Sequence, residues 1–324
     1  MTTVEIGELI GSEGKSNSDH AIIDRLVIVG GGTMGQGISV SAARRGIDVL
    51  LVEKDEDSLE RSISEITATL DREIERWAMT ESEKKGILSH IQGTNNFSDI
   101  TDQRYLIEAL PEKLDLKIAV LRHLEKQCVP EAIFLTNTST LSITELGSSI
   151  ANPDRLIGMH FMNPVPKVRV VELVKGLRTS PETFHTAMKL VARLERTAIE
   201  VFESPGYVTT RVMMPLVNEA IQVLMEGIAS ADDIDKAISL GYELPVGPLA
   251  MADRIGLDMV LNWLETLFHD LGDSKYRPCP LLRMLVRAGH LGIKTGQGFF
   301  RYDNEGRALP GSGQVAAAFE KFLK

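Results

Sequence analysis

The segment that most restricts the fold is RLVIVGGGTMGQG, an apolar run that ends in three consecutive glycines and passes at once into a helical pattern. Within it, Gly30-x-Gly32-x-x-Gly35 follows a predicted strand (25–30) and opens a predicted helix (33–45). A second apolar run, IDVLLVE (47–53), ends on Glu53, 18 residues after Gly35. The order strand, glycine loop, helix, strand, acid suits a dinucleotide. Gly30 permits the tight turn, Gly32 the approach of backbone to pyrophosphate, and Gly35 the packing of helix on strand. Free N–H groups at the helix start attract phosphate. Glu53 would bind the adenosine ribose hydroxyls and repel a 2′-phosphate, which favours NAD over NADP. A glycine turn that binds nothing, or a flavin site, would have the same local pattern.

The alternation continues beyond this unit. An amphipathic stretch runs over 55–77, and Thr80-x-x-Glu83 has the form of a capping box. YLIEAL (105–110), a helical 112–127, AIFLTN (132–137), LIGMHF (156–161), VRVVELV (168–174) and AIEVFES (198–204) follow. Such alternation predicts an α/β domain with a doubly wound, mostly parallel Rossmann-type sheet covered on both faces. After Pro205-Gly206 the pattern turns helical to the end, with breaks at Gly227, Gly241, 245–248 and 278–280. The chain therefore divides into a polar extension (1–23), a nucleotide-binding domain (24–204) and an all-α domain (205–324).

A length of 324 residues suffices for two well-developed cores. The net charge of −10 disfavours nucleic acid as a partner, because phosphate binding draws on Lys and Arg. No apolar run approaches the roughly 20 residues of a membrane span. The two cysteines form no metal or disulfide framework, so a reducing, cytoplasmic setting is expected. The acidic residues of the first 20 argue against a secretory signal or a basic transit peptide.

In HFMNPVPKVRVVELV, Glu172 is a lone carboxylate among Val168, Val170, Val171, Leu173 and Val174. Burying it unpaired would cost several kcal/mol, so it needs a partner. His160, at the end of the preceding apolar run, is the nearest in sequence. A histidine held by a buried carboxylate is a general base of the kind dehydrogenases and hydrolases use. Mutual satisfaction within a core would equally account for the pair.

Several motifs in order resemble the 3-hydroxyacyl-CoA dehydrogenases: EALPEKLDLK (108–117), LTNTSTLSI (135–143), GMHFMNPVPK (158–167), VVELV (170–174), PGYVTTR (205–211), PVGPLAMADRIGLD (245–258) and KTGQGFFRY (294–302). The resemblance spans about 24–303. It implies a helical C-terminal domain that forms a homodimer, and oxidation of an (S)-3-hydroxyacyl-CoA to the ketone with hydride passing to NAD, as in the β-oxidation of fatty acids. It places the catalytic base on His160, its acid on Glu172, and substrate-side contacts on Ser139 and Asn163. Cofactor contacts fall on Thr33, Met34, Ala109, Glu112, Lys117, Asn137, Ser139 and Asn163, besides Gly30, Gly32, Gly35 and Glu53. In the V-N-R pattern expected after PGY this chain has Thr209-Thr210-Arg211, so Thr210 stands where an Asn would hold the substrate oxygen. A Thr hydroxyl is shorter and lacks the amide's second arm. Thr69 and Arg76 are the candidates for the CoA phosphates. The helix bearing them is acidic (Glu60, Glu65, Asp71, Glu73, Glu75), so a substrate on a carrier-protein arm, another 3-hydroxy acid, or a non-catalytic NAD-binding role also fits, as does a merely solvated helix face.

Overall fold

The computed structural model describes residues 23–313. The expected leader, up to residue 22, and the last eleven residues of the helical half lie outside them. Eight strands form one sheet: β1 (Arg25–Val29), β2 (Asp48–Val52), β3 (Ile91–Thr94), β4 (Tyr105–Glu108), β5 (Ile133–Thr136), β6 (Leu156–Phe161), β7 (Val170–Lys175) and β8 (Thr197–Phe202). Their spatial order is β3-β2-β1-β4-β5-β6-β7-β8. Every neighbouring pair is parallel except β6–β7. The chain crosses from one side of the sheet to the other after β3, so β1 and β4 flank the switch point where such sheets open a ligand crevice.

Six helices cover this sheet: α1 (Thr33–Ala43), α2 (Glu56–Glu75), α3 (Glu81–Ser89), α4 (Leu114–Gln127), α5 (Ile143–Ser148) and α6 (Pro181–Arg193). Successive side chains of a strand point to opposite faces, and β1 shows the result. Leu26 and Ile28 pack with Ile38, Ile66, Leu70 and Leu190 on one side. Val27 and Val29 pack with Leu121, Leu124 and Leu146 on the other. Both faces are therefore dry, as a parallel sheet requires. The expected capping box is present: Glu83 N–H donates to Thr80 Oγ1 and Thr80 N–H to Glu83 Oε2.

The helical part follows with α7 (Thr209–Met225), α8 (Ala231–Gly241), α9 (Pro248–Ile255), α10 (Leu257–Leu271) and α11 (Pro280–Arg287). Its own core joins Met214, Ile221, Leu249, Leu264, Leu282 and Phe299. Buried Asp253 in α9 accepts from the N–H groups of Phe299 and Phe300 and from the Tyr302 hydroxyl, each at 2.9 Å, which folds the KTGQGFFRY segment back onto α9. Burial pushes that carboxyl up to about 6, against the pull of the three donors. Among the described residues no helix is long and apolar enough to cross a membrane.

Candidate active site

The glycine loop leaves β1 with Gly30 at φ +98°, where a Cβ would press on the Ala109 carbonyl behind β4. A Cβ on Gly35 would overlap the Gly30 carbonyl oxygen, so the start of α1 seats directly on the turn. A Cβ on Gly32 would meet nothing within 4 Å, and no side chain caps α1. An open approach to an uncapped helix start suits an anionic diphosphate. Glu53 Oε1 accepts from Gly31 N–H at 2.7 Å and from Ser62 Oγ at 3.2 Å. Its other oxygen meets only the Lys54 N–H at 3.2 Å among the described residues, which leaves it acceptor capacity for ribose hydroxyls. The Gly31 carbonyl takes donors from both Gln36 (2.7 Å) and Ser62 (3.0 Å), so α1 and α2 hold the loop together. These residues fit NAD.

His160 and Glu172 face each other directly in the antiparallel β6–β7 register. The inferred pair is made: His160 Nδ1 lies 2.7 Å from Glu172 Oε2. Glu172 is 0% exposed and His160 5%. Burial alone would raise the Glu172 carboxyl. Hydrogen bonds and charge from His160, with the donors of Thr209, outweigh that and hold it below its ordinary range. An ionised carboxylate can only accept, so Nδ1 is the donor of this hydrogen bond. Tyr207 packs its ring 5.7 Å from the imidazole, at 60°. Burial first, then Glu112 and Glu203, push its phenol well above the ordinary value, so it stays a donor, to the Leu141 carbonyl at 3.0 Å.

The C-terminal ends of β4, β5 and β6 bring the remaining candidates to the same edge of the sheet. Asn137 Oδ1 accepts from Phe161 N–H at 3.0 Å, tying the loop after β5 to the strand that carries His160. Glu112 Oε1 gathers the turn that holds Ser139, accepting from Thr138 Oγ1 (2.6 Å), Ser139 N–H (2.8 Å) and Thr140 N–H (3.0 Å). Ser139 itself is half-buried between two buried threonines. Asn163, exposed, precedes a cis bond to Pro164. Val165 follows and packs so closely on Gly37 of α1 that a Cβ there would come within 2.9 Å. The loop between the dyad strands therefore rests on the nucleotide helix.

Two expectations change. Lys117, expected against the cofactor, is 0% exposed: its ammonium is enclosed by Glu108 (2.7 and 3.0 Å) and the Leu110 carbonyl (3.1 Å), so a bound ligand cannot touch it. The helix expected from 112 begins at Leu114, because Glu112 is drawn to the Ser139 turn. At the start of α7 the hydroxyl that reaches the dyad is that of Thr209, while Thr210 is buried beside it. Thr69 lies on α2 and Arg76 caps its C-terminal end, both away from these groups in sequence; Thr69 Oγ1 accepts from Arg72 at 3.0 Å and Arg76 is exposed. Ser62 and Thr209 carry no motif, and only their neighbours in space mark them.

The 3-hydroxyacyl-CoA dehydrogenase NAD-binding domain model matches residues 25–204, and the C-terminal domain model of that family matches 206–302. A probable 3-hydroxybutyryl-CoA dehydrogenase of Bacillus subtilis is 41% identical over 283 residues, covering 87% of this chain and 99% of the relative. The 3-hydroxybutyryl-CoA dehydrogenase of Clostridioides difficile is 40% identical, with 86% and 99% covered. The crystal structure of an (S)-3-hydroxybutyryl-CoA dehydrogenase from Ralstonia eutropha superposes with a TM-score of 0.80 at 40% identity, covering 87% of this chain and all of that one. With the nucleotide loop and the buried His–Glu pair in place, the chain belongs to the 3-hydroxyacyl-CoA dehydrogenases, NAD-dependent oxidoreductases.

Proposed function

We propose that His160 is the general base in the oxidation of an (S)-3-hydroxyacyl-CoA, with Glu172 as its orienting acid. The 2.7 Å contact between Nδ1 and a fully buried carboxylate carries this reading. A secondary alcohol is too weak an acid to lose its proton unaided at neutral pH. His160 Nε2 takes the hydroxyl proton as the C3–H bond breaks, and the C–O bond becomes a carbonyl. Bound NAD supplies the acceptor for the hydride. Glu172 holds the tautomer and stabilises the imidazolium that forms. Ser139 orients the oxygen, Asn163 faces both substrate and cofactor, and Thr210 lines the oxygen side where an Asn was expected. In the reverse direction the imidazolium returns the proton. The names of the relatives favour a short, four-carbon acyl group.

The charge on α2 bears on free CoA against a carrier-bound thioester. Two of the acidic residues of α2 nearest Thr69 and Arg76 in sequence are paired with cations, Asp71 with Lys84 and Glu73 with Arg44. That lowers the field opposing a phosphate near Thr69 and Arg76 and supports CoA. An assay following NADH consumption across 3-oxoacyl-CoAs of increasing length, beside carrier-protein thioesters, tests this. Turnover of acetoacetyl-CoA is the expected result; no turnover of any CoA ester would overturn it.

The helical half, divided from the sheet near Ser204, is the proposed self-association surface of a homodimer. Its exposed Ile228, Leu240 and Tyr242 support that reading. Light scattering coupled to size exclusion is expected to give about twice the 35.6 kDa chain mass; a monomer across the working concentration range would refute it. The unpaired thiols of Cys128 and Cys279 suit a reducing, cytoplasmic compartment.

A further inference from the structure

Thr209 Oγ1 donates to Glu172 Oε2 at 2.9 Å, the same oxygen that faces His160 Nδ1. The backbone N–H groups of Thr209 and Val208 donate to the other oxygen, at 2.9 and 3.1 Å. The carboxylate thus has four donors, one from β6 and three from the entry to α7. Any residues but proline at 208 and 209 would supply the backbone pair. Only Ser or Thr supplies the hydroxyl, and the Val of a V-N-R pattern would leave Oε2 to the imidazole alone.

We propose that Thr209 is a positioning residue of the dyad, sharing Oε2 with His160 and so setting both the direction of that oxygen and how strongly it attracts the imidazolium proton. This rests on His160 acting as the base. A carboxylate oxygen presents two lone-pair directions. With Thr209 on one, the other is left for Nδ1, while the backbone donors fix Oε1. Each donor also draws charge from the carboxylate. Removing the hydroxyl therefore leaves Oε2 more negative and the imidazolium harder to deprotonate.

The surroundings let the effect be read cleanly. Tyr207 packs its ring on the imidazole, and its phenol stays neutral, pushed up by burial first and then by Glu112, Glu203 and Glu172. The next cation along α7, Arg211, is bound to Ser204 Oγ at 2.6 Å. The device also joins the two halves of the molecule. The hydroxyl belongs to the first turn of a helix whose later residues build the C-terminal core, so a shift of α7 would alter the hydrogen bonding of the catalytic acid.

The test compares the full chain with Thr209→Val, which keeps shape and loses the hydroxyl, and with Thr209→Ser, which keeps the hydroxyl. The acid limb of kcat/KM for alcohol oxidation is expected to move up by roughly half a unit to one unit in the Val variant, with KM for NAD unchanged. The Ser variant is expected to retain the parent profile. A Val profile that coincides with the parent overturns the proposal. So does equal disturbance of both variants, which would mean that packing, not the hydroxyl, matters. Thr209→Ala supplies a second hydroxyl-free chain should valine disturb the turn. If the parent turned over no thioester, the reaction assignment would fail. The His160 C2-proton titration by NMR, assigned against His160→Gln, would still report whether the hydroxyl tunes the pair.

Discussion

Replacing His160 by Gln is expected to lower turnover by about 10²–10⁴-fold, the usual contribution of a positioned acid–base group, while NAD binding stays nearly intact. The substitution separates chemistry from architecture. A Gln side chain can still donate an amide N–H toward Glu172 Oε2, so the buried acid keeps a partner in place of Nδ1. It cannot accept the alcohol proton. The fold should therefore survive, and the thermal midpoint should move little. The glycine loop follows β1, Glu53 follows β2 and Ser62 lies on α2, and the hydrogen bonds that join them do not involve His160. Steady-state rates in both directions, with NAD affinity from fluorescence titration, provide the measurement. A loss of less than about tenfold would show that His160 is not the base. Impaired NAD binding to the same degree as turnover would point instead to a structural role.

The dyad could be read from the sequence because burial makes a lone carboxylate conspicuous. Glu172 interrupts a run of Val and Leu, and the requirement for a partner singles out His160; the antiparallel register makes the two direct neighbours. The same signal is present in YLIEAL, where Glu108 ends an apolar strand, and there too the carboxylate proves to be buried and paired. Its partner, Lys117, stands on an amphipathic helix, where a cation ordinarily faces water, so its burial had no local mark. Thr209 is similar: it meets Glu172 across 37 residues, and no spacing rule connects them. In the fold, β1 and β2 were plain because strands buried on both faces read as continuous apolar runs. The edge strand β3, with the sequence IQGT and only Thr94 buried, lacks such a run and so carries no strand signal in the sequence. Nor does strand composition disclose direction, so the reversal of β7 appears only in the pairing.

Replacing Lys117 by Met is expected to destabilise the protein by about 3–5 kcal/mol, as breaking a buried ion pair does. At about 2–4 °C per kcal/mol for a domain of this size, Tm should fall by on the order of 10 °C. Methionine fills a similar volume, so the loss is electrostatic. Glu108 would keep the Thr136 hydroxyl and the Leu110 N–H, both at 2.6 Å, but lose its counter-charge while 1% exposed. Glu112, whose second oxygen lies 3.7 Å from the ammonium, would lose the same cation. Adding Glu108→Gln removes one of the two stranded negative charges, so the double variant is expected to regain part of the stability. Calorimetry on the parent, both single variants and the double variant measures this coupling. A Lys117→Met chain within about 1 kcal/mol of the parent, or a double variant no better than the single, would sink the account. The loss should also reach the site. Glu112 holds the Ser139 turn through four donors on its other oxygen, so a carboxylate freed from Lys117 would let that turn loosen. Turnover measured well below the lowered Tm is then expected to fall even in the fraction that remains folded.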